Sequence, residues 1–263
     1  MNGEAPRVVH QRTLASPWTR DETHSPGASI TSTGAAKVAG VRQVVEAVGR
    51  CISFDAAELP EEFFPTHLSV AIIEAVFRFQ PEPEESSSQI TQRYCRQFGL
   101  THRRRNMFEL PPTEEQETLA DLIAHFAEWG VEGMAREVFK TSYHVPGTTM
   151  CRADTVLQMA RALRDIGIDV LQDVQDRPAQ ELEETLCSVP GTDRSMARML
   201  LTYAGDDDFV LGDDPVRRFV AEAIGNRTVS ASWAAHLVCQ AAYEIVLSPR
   251  HLDYRIYRYR AGR

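Results

Sequence analysis

The spacing of apolar residues constrains this chain more than any other feature, because it follows the helical period of 3.6 residues almost throughout. One apolar face is formed by Val38, Val41, Val44, Val45 and Val48. The segment from His67 to Phe79 is apolar nearly all round, which predicts a central buried helix. No segment shows the sustained alternation of a half-buried strand. The pattern therefore predicts an all-α fold of helices joined by short connections.

The same pattern divides the chain into a tail and one helical domain. Residues 25–34 are rich in Ser, Thr and Gly and have no apolar period, so we expect residues 1–35 to be a disordered tail. Residues 36–263 then form the helical domain. An acidic helix is predicted to open at Thr113 and to end at Gly130, and Pro178 suits the first position of a later helix. Further helices are predicted near 89–98, 131–140, 153–166, 178–188, 194–204, 214–224 and 230–248.

Composition limits the class of protein. With 263 residues, 43% of them hydrophobic, the chain is long enough to bury a sizeable core. No apolar run reaches membrane-spanning length and no signal pattern opens the chain, so we expect a cytoplasmic protein that has no membrane partner. The net charge of −9 argues against a general nucleic-acid coat protein. Only two lysines, Lys37 and Lys140, are present to supply an amine nucleophile. The five cysteines are scattered without a CxxC motif, which is typical of free thiols.

The first segment with candidate chemistry is a Pro-Gly turn between two predicted helices. It reads Leu186-Cys187-Ser188-Val189-Pro190-Gly191-Thr192-Asp193-Arg194-Ser195-Met196-Ala197-Arg198-Met199-Leu200. Such a hairpin ahead of a helix N-terminus presents unpaired backbone N–H groups, which can bind a phosphate. A bare connection between two helices is the alternative interpretation.

The second segment is an apolar loop followed by two aspartates and a predicted helix. It reads Phe209-Val210-Leu211-Gly212-Asp213-Asp214-Pro215-Val216-Arg217-Arg218-Phe219-Val220. We expect Asp214 to cap the helix, with Pro215 at its first position. Asp213 would then have no capping duty, and its carboxylate would face the mouth of the hairpin.

Together, these two segments resemble the helix-hairpin-helix (HhH-GPD) DNA glycosylase superfamily, to which endonuclease III belongs. Val189–Ala197 matches the family's hairpin block and Gly212–Arg218 matches its aspartate block, with Asp213 as the family aspartate. The segment Cys151-Arg152-Ala153 and the tail His251–Tyr259 are similar to helices that flank these blocks in the family. The resemblance covers roughly residues 40–260 and implies two helical lobes around a central cleft, with the hairpin at 178–205.

The resemblance implies a base-excision repair enzyme that hydrolyses the N-glycosidic bond of a flipped, damaged or mismatched base in double-stranded DNA. Asp213 would be the catalytic carboxylate. The DNA phosphate would be held by Gly191, Thr192, Asp193, Arg194 and Ser195, and Arg198 is a further candidate contact. We expect a monomer that needs no cofactor and no metal.

The sequence departs from the family pattern at three places. Asp193 replaces the second hairpin glycine, and its charge would repel a phosphate. Ser195 occupies the position of the Schiff-base lysine in bifunctional members, so lyase activity is not expected. No cysteine follows Cys239, and the iron–sulfur cluster of some members is therefore not expected.

Two other interpretations stay open from the sequence. The chain can be a catalytically inactive module of the same fold that binds DNA or a protein partner, which Asp193 and the negative net charge favour. Alternatively, the aspartates can form a divalent-cation site. That site would use Asp206, Asp207, Asp208, Asp213 and Asp214.

Overall fold

The computed structural model of the protein confirms the all-α prediction. It describes residues 30–52, 59, 63–78, 86–104, 109–141, 144, 150–204, 207–208 and 210–261, and within these ranges there are helices and isolated bridges but no strand. The α-helices are α1 Ile30–Cys51, α2 Leu68–Arg78, α3 Ser87–Phe98, α4 Leu119–Gly133, α5 Arg152–Asp165, α6 Leu171–Gln175, α7 Ala179–Cys187, α8 Arg194–Tyr203, α9 Asp214–Ala223, α10 Ala231–Glu244 and α11 Pro249–Ala261. None of the described helices is both long enough and apolar enough to cross a membrane.

The buried apolar side chains form two separate clusters. The first cluster extends from Phe63 to Ala204 and is built mainly by α2 to α8. The second cluster combines α1 with α9, α10 and α11, so the beginning and the end of the helical domain pack together. The correspondence of these clusters to the two lobes of HhH-GPD proteins stays a prediction.

The first helix begins earlier than the predicted domain boundary. α1 starts at Ile30, so the boundary at residue 35 falls inside this helix. Ser, Thr and Gly are weak helix formers, but each costs a helix only a fraction of a kcal/mol to about 1 kcal/mol relative to alanine. The predicted disorder of the tail concerns residues 1–29, which lie outside the described residues.

The acidic helix predicted to open at Thr113 was placed too early. Thr113–Glu115 forms a single 3-10 turn, and α4 begins at Leu119 with Thr118 as its N-cap. The chain between them is held by buried polar contacts, including the bond from Gln116 Nε2 to Gln172 Oε1 at 2.6 Å. These partners are distant in sequence, so the local pattern gave no sign of the break. Gly130, the predicted helix end, has φ 68° and interrupts the helical geometry within α4.

The helices around the hairpin match the predicted ranges closely. Pro178, however, is the N-cap of α7 rather than its first helical residue. The short helix α6 was not predicted, because five residues are too few to show a helical period. α7 and α8 pack against each other, and α8 also packs on the buried helix α2. The hairpin is thereby anchored on the first hydrophobic cluster.

Candidate functional site

The hairpin between α7 and α8 is a tight turn that ends in a capped helix. Gly191 adopts φ 83°, a conformation that favours glycine, and the N–H of Thr192 donates to Val189 O at 3.1 Å. Asp193 is the N-cap of α8, and its Oδ1 accepts from Met196 N at 2.8 Å. The carboxylate of Asp193 therefore takes a backbone donor that an anion bound at this helix end would otherwise share.

Two further donors at this helix end remain accessible. Arg194 and Ser195 are exposed, and their N–H groups have no acceptor among the residues that the structure describes. The guanidinium of Arg194 is 80% exposed and pairs with Glu183 at 3.2 Å. The structure thus offers two backbone donors and one cation at the hairpin, beside the negative charges of Asp193 and Glu183.

Arg198 brings the hairpin and the aspartate loop together. Its side chain is 16% exposed and lies between Glu183 and the loop that precedes α9. Nη1 of Arg198 donates to Leu211 O at 2.8 Å, and the Nε–Glu183 distance is 3.5 Å. Arg198, a candidate DNA contact in the sequence, instead fixes the backbone two residues ahead of Asp213.

The expected cap of α9 was wrong by one residue. Asp213 is the N-cap, and its Oδ1 accepts from Val216 N at 3.2 Å. Asp214 is the first helical residue; it is exposed and pairs with Arg217 at 3.0 Å. Asp213 therefore does cap α9, contrary to the expectation from the sequence.

The close contact at Gly212 explains why Asp213, and not Asp214, is the N-cap of α9. This glycine has φ 57°, and a Cβ atom there would lie 2.6 Å from the carbonyl oxygen of Ala231. The backbone of residue 212 is thus pressed against the start of α10, which makes Asp213 the extended residue that opens α9. This contact joins segments far apart in sequence, so the choice between two adjacent aspartates could not be made locally.

Asp213 is half-buried, and this environment changes its acidity. Burial raises the pKa of Asp213, the neighbouring charge of Asp214 adds to the increase, and the hydrogen bond from Val216 N opposes it. The carboxylate of Asp213 accepts no second hydrogen bond from the described residues, so one of its oxygens stays available. A carboxylate with a raised pKa is a stronger base than an exposed aspartate.

A second carboxyl group, which the sequence analysis missed, lies beside this loop. Asp253 on α11 is 7% exposed and accepts hydrogen bonds from the N–H groups of Leu211 and Gly212. Burial raises the pKa of Asp253 to about 8, and Asp213 contributes to the increase. Asp253 adjoins Leu252 and lies one helical turn before Ile256, both fully buried, and this position on the apolar face was the available signal.

Residues 101–105 contain the densest cationic run of the sequence, and residues 102–104 of this run are partly buried. Arg103 pairs with the buried Glu74 at 2.8 Å, and Arg104 donates to Pro65 O at 3.0 Å. Burial, together with Arg103, lowers the pKa of His102 to about 4. Arg105 lies outside the described residues. These side chains stabilise the first cluster, and His102, Arg103 and Arg104 are not an exposed basic face.

The aspartates of the alternative cation site are engaged elsewhere. Asp207 pairs with Arg250 at 2.7 Å, and Asp208 accepts from the hydroxyl of Tyr243 at 2.8 Å. Among the described residues, no three Asp, Glu, His or Cys side chains are placed to hold a metal ion. Asp206 lies outside the described residues.

The fold and site define a class: an all-helical protein in which a helix–turn–helix hairpin is tied to a half-buried aspartate at the start of the next helix. The chain belongs to the family described as Domain of unknown function (DUF8548), which matches residues 42–261. No curated protein matches the sequence significantly.

Proposed function

We propose that this protein is a monofunctional DNA N-glycosylase that hydrolyses the bond between deoxyribose and a flipped damaged or mismatched base. The observation that carries the proposal is the hydrogen bond from Arg198 of α8 to Leu211 O, two residues ahead of Asp213. Arg198 of α8 holds the loop that ends in Asp213. This link supports one site that combines a phosphate contact at Arg194 and Ser195 with the carboxylate of Asp213. Both segments resemble the HhH-GPD superfamily, and this resemblance is the reason for proposing N-glycosidic bond hydrolysis with Asp213 as the catalytic carboxylate.

In this proposal, Asp213 acts on the transition state. Cleavage of an N-glycosidic bond builds positive charge on the sugar, and a nearby carboxylate stabilises that charge and activates the attacking water. Partial burial strengthens the interaction, since less water screens it. The exposed N–H groups of Arg194 and Ser195 hold the DNA backbone, and Ser195 supplies no amine for strand cleavage.

Replacing the carboxylate of Asp213 by an amide tests the proposal. Asp213→Asn should lower base release roughly 10²–10⁴-fold, because the charge acts in the chemical step. Asparagine caps helices as well as aspartate does, so the free energy of unfolding and DNA binding should change little. Duplexes with alkylated, deaminated, oxidised or mismatched bases are incubated with the protein, and alkali then reveals abasic sites.

Asp214→Asn is the matched control, because it removes the same charge one residue away from an exposed position. Base release by this variant should stay within a few-fold of the wild type. Comparable losses in both variants would contradict a specific role for Asp213. Absence of abasic sites on every duplex would contradict glycosylase activity.

A binding module without turnover is the second candidate, and the hairpin itself favours it. Asp193 caps α8 at the place where an anion would bind, and Glu183 pairs with Arg194. These negative charges weaken phosphate binding, which depends on neutralisation by cations. Binding of distorted or damaged duplexes without base release would establish this function instead.

A further inference from the structure

The loop ahead of Asp213 is fixed from two sides. Arg198 binds its carbonyl oxygen at Leu211 from α8, and Asp253 binds the N–H groups of Leu211 and Gly212 from α11. Gly212 is also pressed against Ala231 O, where no side chain would fit. The backbone that leads into Asp213 is therefore held more rigidly than its capping role requires.

Asp253 is an unusual residue to find in this position. It lies on a helix face shared with core residues and is 7% exposed, and its Oδ1 has no hydrogen-bond partner within the described residues. Burying a charged carboxylate with an unsatisfied oxygen is costly. A neutral carboxylic acid has a much lower cost and carries one O–H donor.

We propose that Asp253 is a positioning residue for Asp213, and that Asp253 is itself a neutral carboxylic acid while Asp213 carries its negative charge. Asp253 fixes the backbone of Leu211 and Gly212, and its proton avoids the cost of burying a second negative charge near this loop. The part of this inference that concerns catalysis rests on the proposed function. The part that concerns the proton does not.

The charged and polar groups that face Asp253 determine where its proton is lost. Asp213, at the start of α9, raises the pKa of Asp253, whereas Arg198 from α8 and the two N–H groups of the loop lower it. Burial is the largest effect and leaves the pKa at about 8. The folded protein thus keeps this proton at pH values where the unfolded chain, with an aspartate pKa of about 4, has lost it.

The test compares the wild type with Asp253→Asn by chemical denaturation between pH 5 and 9.5. The amide keeps an acceptor for the N–H groups of Leu211 and Gly212 but binds no proton. Because the folded wild type holds the extra proton, a rise in pH favours its unfolding. The ratio of unfolding constants, wild type over variant, should rise by up to about tenfold per pH unit and level off above pH 8. A ratio that stays constant across this range would overturn the inference.

The Asp213→Asn background tests the coupling between the two carboxyl groups. The same ratio is measured with Asp213→Asn present in both proteins. Without the charge of Asp213, Asp253 should lose its proton at lower pH, so the pH at which the ratio levels off should fall by roughly one unit. Asp214→Asn is the matched control and should not change the pH at which the ratio levels off. If the ratio levels off at the same pH in the Asp213→Asn background, the charge of Asp213 does not act on the proton of Asp253, and the proposal is overturned.

The effect of Asp253 on catalysis is measured separately. The pH profile of kcat for base release should show an inflection near pH 8 in the wild type and none in Asp253→Asn, with KM little changed. An inflection that persists in the variant would overturn the positioning role. If no duplex loses a base, the proposed function has failed, while the unfolding ratios still decide whether Asp253 carries the proton.

Discussion

A strained residue lies at the end of α10. Val246 adopts φ 59° and is 93% exposed, with its N–H bonded to Tyr243 O at 3.2 Å. Helices commonly end with a residue in this left-handed conformation, and that residue is usually glycine, because a β-branched side chain is strained there. The chain therefore maintains an exposed, strained valine that contributes little to the core.

Val246→Gly should stabilise the protein. Relief of the strain is worth about 1–2 kcal/mol, while glycine costs about 0.5–1 kcal/mol through the entropy of the unfolded chain. The expected net gain is about 0.5–1 kcal/mol in the free energy of unfolding, measured by chemical denaturation. Val38→Gly, at an exposed position inside α1, is the control and should destabilise. A loss of stability in Val246→Gly would show that the valine makes a contact worth more than its strain.

At the level of elements, the sequence predicted helices that are specified locally. The hairpin helices α7 and α8 match their predicted ranges because the apolar period and the Pro-Gly turn are encoded in consecutive residues. The start of α4 was wrong because Gln116 binds Gln172, more than fifty residues away. The prediction that Asp214 caps α9 was wrong for a similar reason, because the backbone at Gly212 is positioned by its close contact with Ala231 of α10. Asp253 was missed because only tertiary structure brings it to Asp213.

The N-cap of α8 gives a prediction that separates its capping role from its charge. Asp193→Asn keeps an acceptor for Met196 N, so the free energy of unfolding should be nearly unchanged. It also removes a negative charge from the hairpin, and the affinity for duplex DNA should rise about two- to fivefold at low salt, with the gain shrinking as salt is added. Binding is measured by fluorescence anisotropy over a salt series.

Two variants complete that experiment. Asp165→Asn removes an identical charge from the exposed end of α5 and should change DNA affinity less than Asp193→Asn does. Asp193→Ala loses the cap and should destabilise the protein by about 1 kcal/mol. Equal gains of affinity in the two asparagine variants would mean that only net charge matters, and that the hairpin is not where DNA binds.

For the whole molecule, Arg250 is a link between the two hydrophobic clusters. It belongs to α11, which packs in the second cluster, but its guanidinium reaches into the first. Nη1 donates to Thr202 O at 2.8 Å and to Phe63 O at 3.3 Å, and Nη2 pairs with Asp207 at 2.7 Å. The guanidinium carbon also lies 5.5 Å from the centre of the Phe64 ring. One side chain thus satisfies carbonyl groups on segments far from its own helix.

Removing this link should weaken the coupling between the clusters. Arg250→Met keeps most of the side-chain volume but leaves the carbonyl oxygens of Thr202 and Phe63 without their donor, so the free energy of unfolding should fall by roughly 2–4 kcal/mol. Hydrogen exchange should show α11 losing protection before α8, because the second cluster opens without the first. Arg258→Met, at an exposed position on the same helix, should stay within about 0.5 kcal/mol of the wild type. Uniform loss of protection in both clusters would instead show that they unfold as one cooperative unit even without Arg250.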